Sequence, residues 1–398
     1  MHGHGDSQGS GLGGLVAAAQ APAAPAGAPD EAPDLGLLRL LDDEGRLAEV
    51  ADVPLEPALK LRAYREMKRI RLVDARMMLL QRQGRVGFYG TCTGQEATPI
   101  ATGLALRPED WVFPALRESA VMLVRGLPLT TYLCQVFGNR GDLLKGRQMP
   151  SHMSARSVRQ VSWGSCIGTQ FPQAVGAAWA AKLRREPVVT VGFIGDGGTS
   201  EPDFHAAMNF AGVYGVPCVL VCQNNQFAIS VRQEQQTASS TFAVKGRGYG
   251  IPSLRVDGND VLALYVALSR AAARARAGQG PTFIEALTYR IGAHSSSDDP
   301  SRYRSDAEVE TWLQRDPLQR LRRHLVRESL LDAAAEQRLE DELNDAIAQA
   351  VAEAEPLAPP ARETLFDDVY AELPWHLREQ RALMLAEPPA AAHGGRPA

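Results

Sequence analysis

Two apolar runs decide the architecture of this chain. After Pro187, residues 188–194 read Val-Val-Thr-Val-Gly-Phe-Ile and close on Gly195-Asp196-Gly197-Gly198. A β-branched run of that length without charge suits a strand buried on both faces, as in a parallel sheet. Residues 204–214 then follow helical spacing. A second apolar run, 217–222, closes on Gln223-Asn224-Asn225. Strand, helix and strand in that order make a βαβ unit with a right-handed crossover. The theme returns as a strand over 253–256, a helix over 261–277 and a strand over 282–287. The expected fold is therefore α/β, a doubly wound, mostly parallel sheet. Upstream, Tyr64, Met67, Ile70, Val73, Met77 and Leu80 predict an amphipathic helix over 63–83. Further helices are expected over 97–106, 119–136 and 176–184.

The rest of the chain is arranged around this core. Residues 1–34 are rich in Gly, Ala and Pro and are expected to be disordered, because they carry too little apolar surface to offset ordering entropy. Residues 35–70 read as an N-terminal arm broken by Pro54 and Pro57, 71–330 as the α/β domain, 331–387 as a helical C-terminal extension, and 388–398 as a second disordered tail. The first basic residue is Arg39, which argues against a transit peptide or secretory signal, so a cytoplasmic location is expected. A net charge of −4 gives no case for a nucleic-acid or anionic-membrane partner. No stretch is apolar for long enough to span a bilayer. The five cysteines, Cys92, Cys134, Cys166, Cys218 and Cys222, form no CxxC pair and suggest reduced thiols.

In open α/β sheets ligands bind at the carboxyl ends of strands. If the two runs are neighbouring strands, about 4.8 Å apart, Asp196 and Asn225 project into one crevice. One carboxylate, one amide oxygen and a main-chain carbonyl suit a hard cation such as Mg²⁺, and phosphate oxygens complete its shell. Gly197 and Gly198 leave room for phosphates and offer N–H groups just ahead of a helix. Rival motifs fare worse. Gly9 to Gly14 satisfies GxGxxG but follows no strand, and the chain has no P-loop, no serine-hydrolase elbow and no HExxH. A non-catalytic assembly protein that has kept the fold is the remaining rival; it would bind neither cofactor nor metal.

The GDG and NN pair resembles the thiamine-diphosphate enzymes. Ile194-Gly195-Asp196-Gly197-Gly198-Thr199-Ser200-Glu201 and Asn224-Asn225-Gln226-Phe227-Ala228-Ile229-Ser230 look like the α subunit of 2-oxoacid dehydrogenases. So do the segments 145–150, 169–176, 255–260 and 288–299, and the likeness runs from about residue 71 to 380. The resemblance implies thiamine diphosphate and Mg²⁺ as cofactors. Asp196, Asn225 and the main-chain oxygen of Phe227 would ligate the metal, and Gly197, Gly198 and Arg117 would bind the diphosphate. Ser165 and Ile167 match positions along the aminopyrimidine, touched through main-chain groups. His294 matches the catalytic loop histidine, and Ser295 a serine phosphorylated in animal relatives. Leu116 stands where relatives often carry tyrosine and Gln223 where animal relatives carry arginine, so weaker cofactor binding is expected. The same resemblance implies an αβ heterotetramer whose β subunit supplies the activating glutamate, and a lipoyl-bearing dihydrolipoyl acyltransferase as acyl acceptor. The 145–150 segment, Asp298-Asp299 and residues 365–370 look most like the branched-chain group, with Phe88 and Ile167 at its substrate pocket. Pyruvate and acetoin dehydrogenases are the alternatives.

Overall fold

The computed structural model describes residues 35–49, 52–295 and 298–388. The segments read as disordered, 1–34 and 388–398, lie outside these apart from Pro388, as does the GxGxxG match. The described chain opens with β1 (Leu37–Leu38), α1 (Pro57–Arg82), α2 (Ala97–Ala105), β2 (Trp111–Phe113), α3 (Ala120–Val124) and α4 (Leu129–Phe137). Next come α5 (Gln170–Arg184), β3 (Thr190–Gly195), α6 (Pro202–Tyr214), β4 (Cys218–Asn224), β5 (Phe227–Ala228), β6 (Val231–Arg232) and α7 (Gln233–Gln236). It ends with β7 (Ser253–Asp257), α8 (Val261–Arg276), β8 (Thr282–Leu287), α9 (Asp306–Leu313), α10 (Pro317–Arg327), α11 (Ala333–Ala354) and α12 (Trp375–Ala386). No described helix is long and apolar enough to cross a membrane.

Six strands form one sheet in the order β1-β7-β8-β4-β3-β2, and every neighbouring pair is parallel. Strand β4 is buried along its whole length. Its side chains alternate between two cores: Cys218, Leu220 and Cys222 pack with α5 and α6, whereas Val219 and Val221 pack with α1, α2 and α8. The chain moves from β3 to β4 in one direction across the sheet and from β7 to β8 in the other. Their connecting helices α6 and α8 consequently cover opposite faces, the doubly wound arrangement.

The N-terminal arm, 35–70, packs onto the sheet, where β1 pairs with β7 and Leu40 and Leu41 are buried. The structure corrects the sequence reading in two places. Helix α1 begins at Pro57, not at residue 63, because proline at the first helical turn needs no N–H partner and supplies a helical φ. The helix expected over 119–136 is two helices. Gly126, at φ +97°, and Pro128 separate α3 from α4, and Leu127 stays buried, so the apolar pattern runs on through the break.

Asp260 ties the N-terminal segment to the sheet. Its Oδ2 accepts the N–H groups of Leu40 and Leu41 at 2.7 and 2.6 Å, and its Oδ1 caps α8 through Leu262 and Ala263 at 3.1 and 3.0 Å. Replacing Asp260 by alanine orphans four buried donors. Denaturant unfolding of the Asp260→Ala variant is expected to show a loss of about 2–4 kcal/mol; a loss no larger than that of an ordinary exposed cap would refute this stitching role.

Candidate active site

The register of β3 against β4 builds the site. Gly195 lies opposite Gln223, so Asp196 and Asn225 leave the two strand ends side by side. Both line a cavity of about 490 Å³, together with Leu116, Arg117, Trp163, Ser165, Ile167, Gly197, Gly198, Phe227, Arg290 and His294. A cavity of this volume suits a small organic cofactor. Gly197 and Gly198 open a single 3-10 turn, Gly197–Ser200, ahead of α6. Neither tolerates a side chain: a Cβ on Gly197 would come within 2.5 Å of the Ala228 methyl, and one on Gly198 within 2.5 Å of Ile194 Cγ1. After β4 the chain turns sharply, with Gln226 at φ +70° and Ile229 at φ +56° enclosing the short strand β5. Such left-handed non-glycine residues concentrate at binding loops.

Asp196 is 2% exposed, and burial pushes its carboxyl up to about 6, opposed by a 2.7 Å hydrogen bond from Gln236 Nε2. A cation at the carboxylate would restore the charged form. The Asn225 amide is fixed at both ends: its Oδ1 accepts the Phe227 N–H at 3.1 Å and its Nδ2 donates to Gln95 Oε1 at 3.2 Å. No three His, Cys, Asp or Glu side chains among the described residues cluster as a metal site. A cation held by Asp196 and Asn225 therefore needs oxygens from a ligand.

The opposite wall is cationic. The Arg117 guanidinium, 4% exposed as a residue, donates to the carbonyls of Thr91 and His294, the latter at 2.8 Å, and lies 3.5 Å from His294 Nδ1. Burial, together with the charge of Arg290, brings it down to about 10. Arg290 donates to the Ile229 carbonyl at 2.7 Å and to the Tyr303 hydroxyl at 2.8 Å. Neither guanidinium makes a salt bridge among the described residues. Desolvation, then Arg117 and Arg290, push the His294 ring down to about 4, and Asp298 opposes them weakly. Asp298 also receives the His294 N–H at 2.7 Å and the Tyr303 hydroxyl at 2.6 Å, holding the loop in place. Two buried guanidinium groups facing one cavity call for an anion of more than one charge.

The sequence-expected residues Arg117, Ser165, Ile167, Asp196, Gly197, Gly198, Asn225, Phe227 and His294 thus share one cavity. Ile167 is 56% exposed, so its side chain belongs to the cavity wall and not to the core. Phe88 does not join them. It is half-buried and is not among the residues that line this cavity. Leu116 and Gln223 both line it, as their pairing with phosphate-binding positions implied. Gln223 contacts Gln95 at 3.3 Å, leaving Gln95 Nε2 and Gln223 Oε1 buried without a protein partner. Arg290 brings a second guanidinium to the same cavity. The sequence reading passed over Gln95, Gln236 and Arg290 as site residues. Arg290 stood inside a quoted motif without a role, and the two glutamines carry no local signal.

The chain is similar to known proteins over most of its length. The family model described as "Dehydrogenase E1 component" matches residues 64–362. The chain is 43% identical over 350 residues to the Arabidopsis thaliana "2-oxoisovalerate dehydrogenase subunit alpha 2, mitochondrial", covering 87% of this chain and 74% of that one. It is 41% identical over 362 residues to the Pseudomonas aeruginosa "2-oxoisovalerate dehydrogenase subunit alpha", covering 89% and 88%. With the human mitochondrial protein of the same name the identity is 40% over 347 residues, covering 87% and 78%. This chain belongs to the dehydrogenase E1 component family.

Proposed function

We propose that this chain is the α subunit of the decarboxylating component of a branched-chain 2-oxoacid dehydrogenase complex, with 3-methyl-2-oxobutanoate among its substrates. One observation carries the reading: Asp196, Asn225, Arg117 and His294 converge on one cavity in a chain 40–43% identical to 2-oxoisovalerate dehydrogenase α subunits. Membership of the family implies thiamine-diphosphate dependence. When bound, that cofactor supplies a carbon nucleophile and an electron-accepting ring for loss of carbon dioxide.

The chain's own residues have separable tasks. Asp196, the Asn225 Oδ1 and the Phe227 carbonyl would hold Mg²⁺, a hard ion suited to oxygen donors. Arg117 and the N–H groups of Gly197 and Gly198 would hold the diphosphate, with the guanidinium fork matched to phosphate oxygens. His294, neutral at neutral pH because of its buried and cationic surroundings, has a ring nitrogen available to take up a proton at the reacting end. Glu118 Oε2 accepts the Ala115 and Arg117 N–H groups at 2.8 and 3.1 Å and so holds the loop that carries Arg117. In our reading a glutamate from a β subunit in an αβ heterotetramer activates the cofactor, and a lipoyl-bearing dihydrolipoyl acyltransferase receives the acyl group. Ile167, apolar and exposed to the cavity, favours a branched aliphatic substrate.

Three measurements bear on this. Reconstituted with its β subunit, the enzyme is expected to turn over 3-methyl-2-oxobutanoate with kcat/KM at least about tenfold above that for pyruvate; a pyruvate preference would defeat the branched-chain assignment. Asp196→Asn, which keeps the shape of the side chain, should weaken Mg²⁺-dependent binding of thiamine diphosphate by at least about 100-fold in calorimetry, and unchanged binding would remove Asp196 from the metal site. In the ligand-free chain, an NMR titration of the His294 ring should give a midpoint of about 4. Arg117→Met should raise it by removing a neighbouring charge, and a midpoint at the ordinary histidine value would contradict the geometry of the cationic wall.

A further inference from the structure

The wall of the cavity between Trp163 and Gly168 carries one hydrogen bond that the tasks above leave unused. His152 lies behind this wall and is 3% exposed. Its ring stacks on Trp163, with centroids 3.8 Å apart and planes 18° from parallel. Its Nδ1 is 3.2 Å from the Pro150 carbonyl, and its Nε2 is 2.8 Å from the Ser165 hydroxyl. The turn that presents it is unusual. Ser151, itself buried, sits at φ +68°, and the His152 N–H is bonded to the Met149 carbonyl at 3.1 Å. A serine held in the left-handed region needs surroundings that fix it.

The direction of each hydrogen bond follows from the groups involved. The Pro150 carbonyl only accepts, so Nδ1 carries the proton. In the neutral ring Nε2 is then an acceptor, and Ser165 donates its hydroxyl proton to it. Ser165 is exposed and lines the cavity. With its only proton committed to His152, its oxygen presents lone pairs to whatever occupies the cavity. Phosphate oxygens also only accept, so this hydroxyl has nothing to offer the anionic end of a ligand. It suits an N–H donor.

We propose that His152 is a positioning residue that fixes Ser165 as a hydrogen-bond acceptor for an N–H group on the organic, non-phosphate part of the bound cofactor. The inference rests on the thiamine-diphosphate reading given above. It assigns a role to the Ser165 side chain, in addition to any main-chain contact, and it brings into the site a residue that touches no ligand.

The test uses the chain assembled with its β subunit at saturating Mg²⁺, titrated separately with thiamine diphosphate and with inorganic diphosphate. His152→Phe keeps a flat ring against Trp163 but offers no acceptor. His152→Gln returns an acceptor oxygen at the ε position. Ser165→Ala, at an exposed residue, removes the hydroxyl without disturbing packing. His152→Phe and Ser165→Ala should each weaken thiamine-diphosphate binding about threefold to tenfold. The double variant should be no weaker than either single one, because both break one interaction. His152→Gln should recover most of the affinity, and inorganic diphosphate should bind all variants equally. Silent single variants, additive losses, or an equal loss for inorganic diphosphate would overturn the proposal and leave the cofactor reading standing. Failure of the unaltered enzyme to bind thiamine diphosphate would overturn that reading, and this proposal with it.

Discussion

The parallel pairing of β3 with β4 holds the whole site in place. Side chains of adjacent parallel strands leave the sheet at a fixed spacing, so the register that sets Gly195 against Gln223 also sets Asp196 beside Asn225. Shifting that pairing by one residue would turn the alternating side chains of β4 to the wrong cores and separate Asp196 from Asn225 at once. The register is therefore fixed by burial over the whole strand, and the site inherits its precision from the core. The glycines that follow β3 work in the same way. They are demanded by Ala228 and Ile194 as much as by a ligand, so packing and binding select the same residue type.

Electrostatics divides the cavity into two halves. The Asp196 carboxylate and the Asn225 amide oxygen face a wall that carries Arg117, Arg290 and the neutral His294 imidazole. Asp196 and Arg117 are held away from water, and burial disfavours the ionisation of each: it pushes Asp196 up and Arg117 down. Such an arrangement is costly by itself and becomes favourable when a ligand carries negative charge to the guanidinium side and a cation to the carboxylate side. A metal diphosphate does both. The donors need little rearrangement, since Arg117 is anchored to Thr91 and His294, and Asn225 to Phe227 and Gln95.

How far the sequence foretold this can be judged residue by residue. The strands were legible because their β-branched runs are buried on both faces, and the strand ends brought Asp196 and Asn225 with them. The split between α3 and α4 was hidden because Leu127 keeps the apolar pattern going through the break. The start of α1 was misplaced because Pro57 breaks a helix from within but suits its first turn. Arg117, Ser165 and His294 entered through family resemblance, each carried over by a short motif. Gln95, Gln236 and His152 had no such motif. Their meaning lies in partners brought close only by folding, as when Gln95 meets Gln223 across 128 positions of sequence. Phe88, a residue of suitable type, also entered through resemblance but does not line the cavity that the others share.

Arg117 joins three stretches of chain through the carbonyls of Thr91 and His294, and it lies in the same cavity as the ends of β3 and β4. A ligand gripped there acts as a clasp on the folded chain as well as a reagent. Any molecule that binds only the native state raises its stability by mass action, by about 2.7 kcal/mol at a hundredfold excess over Kd. Shifts of that size change how long a protein survives the cell's quality control. A cofactor held by such a clasp thereby bears on how long the polypeptide lasts as well as on what it does.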